Sequence, residues 1–162
     1  MNTRRSLWKI VLLSQAVAGG AWAAEMELKL KELQPSLSRL ASGSRTTVDQ
    51  AVQLIRKGQH TAALAHLTEL SRANPDNSAV KVVLAYGLLQ AGNLVGAFDR
   101  AKEAEAAPDH TSYVCLFLAR VAYLVGDPLT CRREVEHVRQ AGDYKTEVRA
   151  LERDLNAKSA NR

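Results

Sequence analysis

Two cysteines in 162 residues, with only four histidines scattered along the chain, are too few and too dispersed for a disulfide scaffold or a zinc module. The apolar run Ile10 to Ala18 falls short of the ~20 residues that span a bilayer, and Gly19-Gly20 interrupts it. No cysteine follows that run, which excludes a bacterial lipoprotein. A Gly-rich phosphate loop, a His-Glu-x-x-His helix and a Gly-x-Ser-x-Gly elbow are all missing. The expectation is therefore no enzyme: no catalytic residues, no cofactor, no metal and no small-molecule substrate. The formal charge of +5 includes Arg4, Arg5 and Lys9, and falls to +2 without the first 23 residues. Such a balance gives no case for nucleic-acid binding. Hydrophobic residues at 46% and charged residues at 24% are ordinary for a globular chain and too apolar for a disordered one.

Residues 1–24 run from a short basic start through an apolar stretch to Ala21-Trp22-Ala23. That order is a secretory signal peptide, cut after Ala23, and it takes both tryptophans, Trp8 and Trp22, with it. The leader is of a Gram-negative type, and the expected location is the periplasm. Thr3-Arg4-Arg5-Ser6-Leu7-Trp8-Lys9 resembles the twin-arginine export motif. Leu7 stands where that motif has Phe, and Trp8 where it has Leu; the short leader favours the general secretory route.

A 34-residue period organises the rest. Gly58, Gly92 and Gly126 are 34 residues apart. Seven residues before each stands Ala51, Ala85 or Ala119, and five after each stands Ala63, Ala97 or Cys131. Leu67, Ala101 and Val135 follow at nine, and Leu70, Ala104 and Val138 at twelve. Each unit reads as two helices joined by a tight turn. Glycine ends the first helix in the left-handed conformation at no steric cost. The small residues let the two backbones approach, and apolar positions at three- and four-residue spacing form the inner stripes. Asp127-Pro128 is a helix start, with Asp as cap and Pro in the first turn.

On these residues the chain resembles the tetratricopeptide repeat family over 44–77, 78–111 and 112–145. The resemblance implies an all-α solenoid of about three helix-turn-helix repeats with flanking helices at both ends. The family's small residue falls on Ala51, Ala85 and Ala119, its turn glycine on Gly58, Gly92 and Gly126, and its second-helix alanine on Ala63, Ala97 and Cys131. Its early aromatic is replaced by Thr47, Lys81 and Cys115. Pro108 comes one residue early, and the third unit lacks a closing proline. Residues 24–43 would be an N-terminal amphipathic helix with the stripe Met26, Leu30, Leu33, Leu37, Leu40, followed by a Ser42-Gly43-Ser44 linker. This helix would cap the first repeat or lie in the groove of its own chain, or else form a short coiled coil. Residues 146–162 would be a capping helix and tail, with Val148, Leu151 and Leu155 on one face.

Such solenoids bind extended peptides or helices in the groove lined by their first helices. The positions expected there are Val48, Val52, Ile55, Arg56, Val82, Tyr86, Leu89, Tyr113, Leu116, Arg120 and Tyr123, with Val82 and Leu116 expected as core. Tyrosine and arginine are the types enriched at binding hot spots. Arg56 and Arg120 do not rebuild the Lys/Asn clamp with which one family variant holds a chaperone tail. A protein or peptide partner of the cell envelope is implied, with a homo-oligomer through the stripe at 26–40 as the alternative. Cys115 and Cys131, one on each helix of the third unit, are a candidate disulfide of borderline geometry. The run Arg132-Arg133-Glu134-Val135-Glu136-His137 reads as a solvated helix face.

Replacing Arg4 and Arg5 by lysine is expected to leave export intact. Retention of the variant in the cytoplasm, read by fractionation, would assign the twin-arginine route instead.

Overall fold

A computed structural model describes residues 26–160; the leader, its two arginines and the cleavage position after Ala23 lie outside them. The described chain is all-helical. An irregular stretch at 26–29 leads into a 3-10 turn, Leu30–Leu33, and a short helix α1, Gln34–Leu37. Three helix pairs follow: α2 (Ser42–Arg56) with α3 (His60–Ala73), α4 (Ser78–Gln90) with α5 (Leu94–Glu105), and α6 (Ser112–Val125) with α7 (Pro128–Ala141). Helix α8, Lys145–Ala160, ends the chain. The helices of each pair pack on each other, and each pair packs on the next. Among the described residues no helix is long and apolar enough to cross a membrane.

The period is visible in the backbone. Gly58, Gly92 and Gly126 have φ of 74°, 81° and 81°, the left-handed region where a Cβ is disfavoured. Ala51, Ala85, Ala119, Ala63, Ala97 and Cys131 are all fully buried, as close helix approach requires. Gly87 of α4 extends this device beyond what the period reveals. A Cβ there would sit 3.2 Å from both Ile55 Cδ1 and Leu64 Cδ2, so α4 comes close to the first pair only because the position is bare.

Three helix starts, those of α4, α5 and α7, are fixed by side-chain caps. Asn77 Oδ1 accepts from the Val80 N–H at 3.0 Å, and Asn93 Oδ1 from the Gly96 N–H at 2.9 Å. Asp127 Oδ1 accepts from the Leu129 and Thr130 N–H groups, each at 3.1 Å, while its Oδ2 takes the Thr130 hydroxyl at 2.7 Å. At the other end α8 buries Val148, Leu151 and Leu155 against Cys131, Val135 and Val138, covering the last pair as expected. It runs on through Ser159 and Ala160, so helix takes up nearly all of the expected capping helix and tail.

Two expectations are corrected. Residues 24–43 do not form one amphipathic helix. Pro35 has no N–H and disfavours helix before itself, so a helix begins only around it. The residues ahead stay irregular or tightly turned, and the Lys29 N–H donates at 2.9 Å to the Tyr113 hydroxyl instead of to a helical carbonyl. Ser42-Gly43-Ser44 is not a linker but the first turn of α2. Thr46 and Thr47 hydroxyls donate back to the Ser42 and Gly43 carbonyls there.

Asp127→Ala is expected to lower unfolding stability by ~1 kcal/mol at neutral pH, the usual effect of losing a cap. The Thr130 hydroxyl and the backbone N–H groups of Thr130 and Leu129 hold the Asp127 carboxyl below its ordinary range. A lowered folded pKa means that the charged cap stabilises above the unfolded carboxylate value and fades as pH falls through the folded one. Denaturant unfolding of the two proteins should therefore differ at neutral pH and draw together as pH falls below the ordinary carboxylate range.

Candidate binding groove

The faces of α2, α4 and α6 that sequence reading assigned to a groove lie together, and the chain's own N-terminal segment lies on them. Met26, Leu28, Leu33, Leu37 and Leu40 are buried in one cluster with Val48, Val52, Ile55, Val82, Leu89 and Tyr113. The leucine stripe is thus used, but inward and within the chain. Val48, Val52, Ile55, Leu89 and Tyr113 are at most 4% exposed and offer no free surface, which corrects their assignment to an open groove. Val82 and Leu116 are core, as expected. Arg56 is exposed, and Tyr86, Arg120 and Tyr123 are partly so.

Polar contacts fix the segment's register. The Ser36 hydroxyl donates to the Asp109 carbonyl at 3.0 Å and lies 3.0 Å from the Ser78 hydroxyl. Asn77 Nδ2 donates to the Ser36 carbonyl at 2.8 Å, and the Ser78 N–H to Asp109 Oδ1 at 2.8 Å. Ser36, Asn77 and Ser78 are buried, and a satisfied buried network of this kind disfavours a slipped register. Further along, Lys29 Nζ reaches Glu147 Oε1 of α8 at 2.9 Å. That contact holds the Glu147 carboxyl below its ordinary range.

Tyr144 completes the hold. Among the described residues it is the one with positive φ, 49°, other than glycine, a conformation that costs of order 1 kcal/mol or more. Following Gly142 at φ 78°, it turns the chain sharply into α8. Its hydroxyl then donates to Glu32 Oε2 at 2.8 Å, and its ring lies 6.1 Å from that of Tyr113. Burial, with the Glu32 carboxylate beside it, raises the Tyr144 pKa, so the phenol stays a donor.

Beyond Met26 the face opens into a cleft of about 470 Å³ between α6 and α8. Met26, Leu124, Ala150 and Leu151 supply its apolar wall, Arg120 a cation, and Glu147 and Asp154 carboxylates. Tyr123 borders it, and Lys158 Nζ lies 4.8 Å over the Tyr123 ring. The size is that of a pocket for a small ligand or a few residues of peptide. Sequence reading placed Arg120 and Tyr123 here but missed Glu147 and Asp154, because it treated α8 only as a cap.

Cys115 and Cys131 are free and buried, so the candidate disulfide is not formed. Cys115 stands eleven residues before the turn glycine and Cys131 five after it, which puts them at different levels of the pair. Burial pushes their thiols up to about 12 and about 11. Neither is a ready nucleophile, since the thiolate is the reactive form. Glu134, expected on a solvated face, is fully buried. Its carboxylate, the Cys115 sulfur and a His137 ring nitrogen lie within 4.8 Å of one another. Glu and His at a three-residue spacing on one helix were the overlooked signal.

Tyr144→Phe is expected to weaken the hold on the segment by ~1 kcal/mol, the worth of one hydrogen bond. Amide exchange at residues 29–33 should then be roughly five-fold faster, with the cores of α6 and α7 unchanged. Equal exchange would show that the segment is held without this contact.

Comparison of the chain with protein-family models, with curated proteins and with solved structures finds no match.

Proposed function

We propose that this chain is an exported binding module, a small solenoid of three tetratricopeptide-like repeats, that holds a partner polypeptide on the face formed by α2, α4 and α6. The observation that supports it is that this face already carries a polypeptide segment, the irregular stretch 26–29 and the 3-10 turn Leu30–Leu33 of the chain itself. Apolar side chains enter between the helices, and a tyrosine hydroxyl takes a backbone N–H of the segment. The same chemistry suits a peptide, a helix or a partner subunit. The cleft beside Met26 is where such a partner first finds open surface. Arg120 there meets an acidic group, and Glu147 and Asp154 meet a basic one. The proposed action is positioning, without a covalent step, in envelope assembly or secretion.

The alternative reading, a homo-oligomer through the leucine stripe, would need Leu33, Leu37 and Leu40 to be available. They are 1%, 5% and 5% exposed within one chain, so a second copy would have to displace the segment first.

The test is affinity capture from the cell envelope with the mature chain beside a Tyr86→Ala, Arg120→Ala, Tyr123→Ala variant. The expected result is a protein retained by the first and lost by the second. Titration of the purified partner should show at least ten-fold weaker binding, as for hot-spot residues worth over 1 kcal/mol. Identical capture by both would remove the groove as the binding surface. A mass in solution of twice the chain, halved by Leu33→Asp, would favour the oligomer.

A further inference from the structure

The pair α6 and α7 departs from the other two pairs at three positions that face one another. Eleven residues before the turn glycine stand Thr47, Lys81 and Cys115; eleven after it stand Glu69, Glu103 and His137. These two positions oppose each other across the pair: Lys81 Nζ donates to the Glu103 carbonyl at 3.3 Å. Eight after the glycine stand His66, Arg100 and Glu134. His66 and Arg100 are exposed, whereas Glu134 is fully buried. Only the third pair brings a thiol, a carboxylate and an imidazole to this place.

The Glu134 carboxylate is divided in its use. Arg133 Nε donates to Oε1 at 2.6 Å. Oε2 is buried and takes no hydrogen bond from an N–H or O–H group; the Cys115 thiol, a weak donor, is the group set against the carboxylate. Oε2 lies 3.5 Å from His137 Nδ1, too far for a good hydrogen bond. A buried carboxylate oxygen met only by a weak donor is costly and calls for an explanation. Zinc binds sulfur at ~2.3 Å and nitrogen or oxygen at ~2.0–2.2 Å in a tetrahedron, so its ligand atoms stand roughly 3.5 Å apart. The Glu134–His137 separation already has that value. The three ligand atoms all lie within 4.8 Å of one another, so side-chain rotations that move them by roughly 1 Å would close them on one ion.

We propose that Cys115 Sγ, Glu134 Oε2 and His137 Nδ1 bind a divalent transition cation of the zinc class, with the fourth position open to water or an external ligand. Thiolate with imidazole and carboxylate is the donor set for such an ion. One thiolate and one carboxylate neutralise its two charges. Arg133 stays on Oε1 as the outer partner that orients the carboxylate, and Glu105 of α5 lies close enough to act on both Cys115 and Arg133. Binding releases the Cys115 proton to water, as coordination of a thiol does. His137, half-exposed on its outer side, gives the ion its path from solvent.

Cobalt(II) is the probe, titrated into the metal-free full chain under reducing conditions. One equivalent should give a thiolate-to-cobalt charge-transfer band, bleached by one equivalent of zinc. Cys131→Ser should keep the band and Cys115→Ser should lose it. His137→Gln changes a half-exposed ring and leaves the core intact, so the variant folds; it should bind roughly 100-fold more weakly. Glu134→Gln, close in shape, should weaken binding by at least ten-fold. Absence of the band in the wild-type chain, its persistence in Cys115→Ser, or unchanged affinity in His137→Gln would each overturn the assignment.

Discussion

Close approach of helix backbones is the constraint on which the rest of this structure depends. Ala51, Ala63, Ala85, Ala97 and Ala119 are fully buried at equivalent places in successive pairs, and Gly87 removes even a methyl group where α4 meets Ile55 and Leu64. Small residues contribute little transfer energy themselves. They bring larger side chains such as Leu67, Leu89 and Leu118 into contact at crystal-like density. The left-handed glycines serve the same end. Each reverses the chain within a few residues, so the second helix starts beside the first instead of away from it.

A stack of pairs built this way leaves one helix face without a neighbour, and the chain supplies the cover from its own N-terminal side. That cover differs from the core in kind. It is short, irregular and tied by individual hydrogen bonds to Tyr113, Tyr144, Asn77 and Asp109 in addition to its leucines. Held by few contacts, a cover of this kind opens at lower free energy than the helix pairs beneath it.

The third pair carries features that the demands of the stack do not explain. Val135 and Val138 repeat the inward positions of the earlier pairs, yet Glu134 is buried beside them and Cys115 sits against it. A buried carboxylate is tolerated only when charge and hydrogen bonds compensate it. Arg133 compensates one oxygen and leaves the other facing a thiol and an imidazole.

The helix pairs, their turns and the capping helix were legible in the sequence because their causes are local. A glycine at φ near 80°, an Asp before a Pro, and alanines at fixed distances from a turn act within one or two helical turns. They leave the same mark in every unit. Tyr86, Arg120 and Tyr123 were legible as surface candidates for the same reason. The path of residues 26–40, the loss of Val52, Leu89 and Tyr113 to the interior, and the burial of Glu134 were decided only by tertiary structure. Lys29 meets Glu147 across 118 residues and Glu32 meets Tyr144 across 112. A periodic stripe shows that a face will be covered. What covers it depends on which distant surface is left without a partner once the helices have packed, and no local pattern encodes that.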